Sequence, residues 1–291
     1  MKLNSSINMQ ISSVVDAGDD RLFFRAFSDL ESEVPNLNKT YIIESYNGAY
    51  NLLRVIDEEI ASLSVTENGG LFAIGKNGNI YKYSENNWQD IKAQFKPIEY
   101  LFRSIVHKDV IYSACTGGSV FSFSDDAWEN VCSDVGDDDL DLISICHGAD
   151  DLLFVCGENG ILASISVTDN AFKVIGIPTN AYLYDIKKID NDNLAVCGRN
   201  GTFFIGNELV WRDFSRTDLN VSFSSVEIWR DELYLSASDR VLLFHDGNYT
   251  EFNIPSLNLI GLKNGLWSIA LKKLHKFNGL EWEEVIVEIN V

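Results

Sequence analysis

A chain of 291 residues with 43 acidic and 23 basic side chains carries a formal charge of −20. Such a surface repels phosphate backbones and anionic lipid, and so argues against nucleic-acid and membrane partners. Hydrophobic residues make up 46% and aromatics 12%, enough for a packed core and against a disordered chain.

Strand-like segments dominate from the start. Ile7–Val15, Arg21–Phe27, Thr40–Tyr46 and Tyr50–Ile56 form a first group of four, with the polar insertion Ser28–Lys39 between the second and third. A second group holds LFAIGKNGNIYKYSENNWQDI from Leu71. A third, IYSACTGGSVFSFSDDAWENV from Ile111, matches it without a gap at an offset of 40. Its strands are expected at Leu101–Val106, Val110–Cys115, Ser119–Ser124 and Trp128–Cys132. The fourth and fifth groups share the same core, in FVCGENG and AVCGRNG. The seventh is the shortest, and its Gly-x-x-Gly turn is degraded to ALKKL.

One element runs through all seven groups: Tyr50, Trp88, Trp128, Phe172, Trp211, Tyr249 and Trp282, each followed three residues later by an apolar side chain. A turn precedes each one, built from Asn, Asp or Gly, residues that tolerate the positive φ of tight hairpins. Short runs with period-2 patterning, separated by turns, read as strands and not helices. Four antiparallel strands per unit of about 40 residues is the propeller signature. The expected fold is therefore all-β: one seven-bladed β-propeller over residues 1–291, with blades near 1–57, 58–93, 94–134, 135–177, 178–216, 217–254 and 255–291. The recurring aromatics are expected to pack between neighbouring sheets. Because the copies stay in phase, closure is expected to rest on packing of the last blade against the first, without strand exchange.

The pattern Gly-x-x-Gly-x-apolar, turn, Trp-x-x-apolar resembles the repeats of WD-like and Asp-box-like propellers, including photosystem II assembly-factor-like ones. The Asp-box is echoed in Ser84–Trp88 and Ser124–Trp128 without its glycine, and the dipeptides of true WD repeats are absent. The resemblance implies a fold and leaves activity open, since propellers host many functions.

No nucleophile elbow, zinc-protease, P-loop or dinucleotide fingerprint occurs, and the nine arginines do not recur at one repeat position. A non-catalytic protein without cofactor or metal is expected, and a small-molecule ligand is not. The five cysteines, Cys115, Cys132, Cys146, Cys156 and Cys197, lack zinc or disulfide spacing and read as core thiols of a reducing compartment. No apolar run reaches the roughly 18–20 residues that span a bilayer, and the first twenty residues lack the apolar core of a secretory leader, so a soluble cytoplasmic chain is expected. His107 and His147 fall at matching positions of adjacent blades, where they read as turn histidines in preference to a metal pair.

The sharpest local feature is DVGDDDLD, with Asp134, Asp137, Asp138, Asp139 and Asp141 in the connection between the third and fourth blades. In a propeller the inter-blade connections and the turns between second and third strands emerge at one end. Phe95, Tyr100, Tyr182 and Tyr184 are expected there beside the acidic run. Aromatics next to charges on loops of a rigid scaffold suit protein recognition. The expected function is a protein-binding propeller, most concretely a cytoplasmic inhibitor or immunity protein masking a basic partner. The alternatives are an assembly or scaffold factor, and a carbohydrate-active or lectin-like propeller.

Overall fold

The computed structural model describes residues 9–28, 39–66, 69–94, 100–133, 135, 140–149, 151–270, 273–287 and 289–290. They form seven sheets arranged as blades, each with four antiparallel strands from one contiguous stretch of chain, and the first sheet gains a fifth strand from the chain's end. The first blade comprises Met9–Asp16, Arg21–Ser28, Thr40–Tyr46 and Ala49–Ile56, and the third Leu101–His107, Val110–Cys115, Val120–Ser124 and Ala127–Cys132. These spans agree with the expected ones to within two residues at each end. The first strand of every blade touches the first strand of its neighbours, so these seven strands ring the axis.

A four-stranded sheet cannot bury both faces by itself, and the packing shows how the ring solves this. Among the described residues the core divides into seven apolar clusters, each drawn from two adjacent blades. Trp88, Trp128, Trp211 and Trp282 sit on outer strands, half-buried against four of these clusters. They therefore cap the seams from outside. Trp128 and Trp211 also bridge blades, their indole N–H groups donating to Gly78 O at 2.8 Å and Gly176 O at 2.9 Å.

The seam between blades 7 and 1 is packed like the others, through Trp267, Ile269 and Leu274 against Ile11, Phe24 and Ile43. Closure does not rest on packing alone. Ile289–Asn290 crosses to blade 1 and pairs in parallel with its outer strand at Tyr50 and Asn51. This latch departs from the expected closure: a two-residue strand has too little pattern to be seen in sequence.

Candidate functional site

Each blade sends its first and third strands toward one end of the ring and its second and fourth toward the other. The end reached by the second strands carries the inter-blade connections and is called the loop end; the opposite end carries the short turns that join first to second and third to fourth strands. The repeated Cys-Gly-x-Asn-Gly sequence shows how the loop end is built. A Cβ on Gly157 would lie 1.9 Å from Asp141 O, and one on Gly198 would lie 2.3 Å from Tyr182 O. Only glycine admits so close an approach. The residue after each glycine uses it: Glu158 N donates to Asp141 O at 3.0 Å, and Arg199 N to Tyr182 O at 2.8 Å. The same bond joins Thr116 N to Tyr100 O at 3.0 Å and Lys76 N to Glu59 O at 2.9 Å. Glu59, Tyr100, Asp141 and Tyr182 thus occupy one repeat position, pinned at the rim of successive blades.

Just inside the rim, six of the seven innermost strands carry a bulge, which skips Ser12, Ala61, Phe102, Ile143, Tyr184 and Ser224. Bulges re-aim side chains and recur near functional sites. Blades 3, 4 and 5 place large apolar residues there, all partly exposed.

At the junction of blades 4 and 5 the structure brings three of the expected site residues together. The rings of Tyr182 and Tyr184 lie 5.0 Å apart at 34°. Glu158 accepts a hydrogen bond from Asp141 N at 3.1 Å, and the Asp141 carboxylate accepts one from Gly117 N at 3.3 Å. Partial burial, with the nearby charges of Glu158 and Asp141, pushes the Tyr182 phenol up to about 12. Partial burial and repulsion from Glu158 raise the Asp141 carboxyl, against the lowering bond from Gly117. Tyr100 is 40% exposed and lies at the blade 2–3 junction, its ring 5.5 Å from the Lys76 ammonium. It shares the rim with the other three without a ring contact to them. Phe95, Asp134, Asp137, Asp138 and Asp139 lie outside the described residues.

Glu158, Phe102 and Ile143 escaped the sequence reading, although Glu158 holds the same turn position as Lys76, Thr116 and Arg199. A deeper layer also escaped it. Arg103 on blade 3 donates to Ser144 on blade 4 at 2.9 Å and pairs with Asp185 on blade 5. Asp185 is buried and also accepts from Ser144 Oγ at 2.8 Å and Val226 N at 3.1 Å, so four blades meet at one carboxylate. The constant spacing of 41 between Arg103, Ser144 and Asp185 was the available signal. Lys187 and Glu227 pair at 2.9 Å further along the same walls.

Other chemistry is accounted for locally. The rings of His107 and His147 lie 5.5 Å apart, and His107 faces Asp151 at 3.4 Å. All five cysteines are buried and none is in a disulfide, and burial pushes the Cys146 thiol up to about 12, which suppresses thiolate chemistry. Among the described residues no group of three or more His, Cys, Asp or Glu side chains could hold a metal ion, and no helix is long and apolar enough to cross a membrane.

Seven blades in a closed ring, with aromatic and acidic groups at the end that carries the inter-blade connections, define a seven-bladed β-propeller. No family model matches the chain. Over 114 residues it is 25% identical to the immune protein Tsi7 of Pseudomonas aeruginosa, a stretch spanning 37% of each protein. The chain thus matches little more than a third of that relative's length. Among solved structures it is similar to YCF48 bound to D1 peptide, with a TM-score of 0.72 at 12% identity over 94% of both chains. It is also similar to the WD40 propeller domain of Doa1, with a TM-score of 0.70 at 9% identity over 93% of this chain and 92% of that one. Likeness at these identities establishes the fold alone.

Proposed function

We propose that this chain is a non-catalytic, protein-binding propeller of the immunity type, acting in the cytoplasm to mask a basic partner protein with its loop end. The observation that carries the reading is the similarity to an immune protein over 114 residues. Charge supports it, because a chain at −20 attracts a cationic partner over long range and speeds encounter. Local architecture supports it too: Tyr100, Asp141, Tyr182 and Tyr184 stand on a rim held by backbone hydrogen bonds, and rigidly presented aromatics make the desolvated contacts that anchor interfaces. In sequence, Asp141 ends the acidic run that begins at Asp134.

Antidotes are commonly encoded beside the proteins they neutralise, so the test begins with the neighbouring gene. Its product is expressed alone and together with this chain. Co-expression is expected to restore growth, and the two purified proteins are expected to form a stable complex. Growth arrest that co-expression leaves untouched, with no complex between the purified proteins, would contradict the immunity reading.

A further inference from the structure

The protein shows twice, with its own side chains, how an aromatic surface beside a carboxylate is filled. At the seam of blades 1 and 2 the Arg54 guanidinium lies 5.0 Å from the Trp88 ring and 5.1 Å from the Tyr81 ring. It also grips both oxygens of Asp90, at 2.6 and 2.7 Å. Near blades 5 and 6 Arg216 lies 5.3 Å over Tyr249 and holds both oxygens of Asp218 at 2.8 Å. The planar, weakly hydrated guanidinium suits both contacts at once, which an ammonium does not.

The junction of blades 4 and 5 has the same parts without the cation. Tyr182 and Tyr184 present paired, partly exposed rings that belong to none of the seven apolar clusters. Among the described residues Asp141 and Glu158 each accept one backbone N–H and form no ion pair. Each carboxylate has capacity for about four acceptor contacts. Arg199, on the adjoining turn, is exposed and makes no ion pair with either acid. Partial burial is the main cause that raises the Asp141 carboxyl and the Tyr182 phenol, and the neighbouring acids add to it.

We infer that this junction is an arginine anchor site: one guanidinium of a protein partner stacks on the Tyr182–Tyr184 pair while its N–H groups bind the Asp141 and Glu158 carboxylates. The inference rests on the loop end being the binding face, and it names the side chain that face selects.

The test uses the full chain carrying 13C-labelled tyrosine, with ring resonances assigned through single Tyr→Phe variants. It is titrated with a short glycine peptide containing one arginine, and with its lysine counterpart of equal charge. The arginine peptide is expected to shift the Tyr182 and Tyr184 resonances at a concentration roughly threefold or more below the lysine peptide. Asp141→Asn combined with Glu158→Gln keeps both backbone bonds acceptable to the fold, and is expected to weaken that response roughly fivefold or more with an unchanged unfolding midpoint. Tyr182→Leu is expected to remove the preference for arginine. Equal response to both peptides, no shift at either ring, or indifference to the double variant would each overturn the anchor. If the neighbouring gene's product still binds, and removing loop-end charge still slows its association, the loop-end reading survives that failure.

Discussion

At the hairpin end, Asp19, Asp20, Glu85, Asp109, Asp125, Asp126, Asp231 and Asp246 all hold positive φ in tight turns, whereas among the described residues of the loop end the non-glycine positions with positive φ are the neutral Asn159, Asn200 and Asn220. Turn geometry admits Asn, Gly or Asp about equally. The hairpin-end acids therefore satisfy a backbone requirement while adding solubility, and need no partner to explain them. The described loop-end acids Asp141 and Glu158 are different: they occupy ordinary backbone conformations, and their charges reach the partly exposed ring of Tyr182. Net charge alone does not locate a binding face. What separates the two ends is charge that local geometry does not demand, set beside apolar surface that the core does not use.

That comparison assumes a scaffold stiff enough to keep the ends distinct, and the largest expected effect tests it. Asp185→Ala strips Arg103, Ser144 and Val226 N of a shared, buried acceptor. Breaking a buried pair from one side costs about 3–5 kcal/mol, to be read from urea unfolding. A loss below about 1 kcal/mol would mean that the four blades are held together by packing alone. Next comes Trp128→Ala. A fully buried Trp→Ala change costs about 3–5 kcal/mol, and the half-exposed position of this ring lowers the expectation to about 2 kcal/mol. An unchanged midpoint would show that the seam tryptophans contribute surface and not stability.

Gly198→Ala bears on the loop end directly. Its added methyl would meet Tyr182 O at 2.3 Å, a clash expected to cost about 1–3 kcal/mol and to move the Tyr182 ring resonances. A variant as stable as the parent, with unmoved resonances, would show that the rim is not pinned as described. The smallest effect belongs to the hairpin end. Asp125→Asn with Asp126→Asn retains the turn chemistry at φ of 49° and 60° and is expected to shift stability by less than about 0.5 kcal/mol. A larger loss would assign those aspartates a role beyond turn formation.

The blade count was legible because three independent signals coincide in each copy: turn residues that accept positive φ, period-2 strands, and an aromatic that caps a seam. Trp128 illustrates all three, following the Asp125-Asp126 turn and lying opposite Phe123 on the neighbouring strand. The latch at Ile289–Asn290 was not legible, since its pairing depends on where blade 1 presents an edge. Nor was the bulge at Tyr184, because bulges leave no compositional mark. Asp141, Tyr182 and Tyr184 were singled out for loop position and residue type, and the structure adds what sequence spacing could not supply. Glu158 reaches them only because Gly157 lets its turn fold against the connection before the strand. The pairing of Arg103 with Asp185 two blades away left only the repeat spacing of 41 as a trace in the sequence, because the contact depends on how successive blades turn about the axis.

The central claim, that the loop end and not the hairpin end receives a basic partner, is most directly tested by association rates as a function of salt. An innermost strand of seven residues such as Leu101–His107 spans about 20 Å, more than two screening lengths at physiological ionic strength, where the length is about 8 Å. Charge removed from one end should therefore be felt mainly at that end. Two fourfold variants are compared with the parent against the neighbouring gene's product: Asp137, Asp138, Asp139 and Asp141 to Asn, and Asp19, Asp20, Asp125 and Asp126 to Asn. The loop-end variant is expected to associate roughly five- to tenfold more slowly at low salt, converging with the parent as salt rises, with the hairpin-end variant close to the parent throughout. Equal slowing by both variants, or slowing by the hairpin-end variant alone, would contradict the assignment of the binding face.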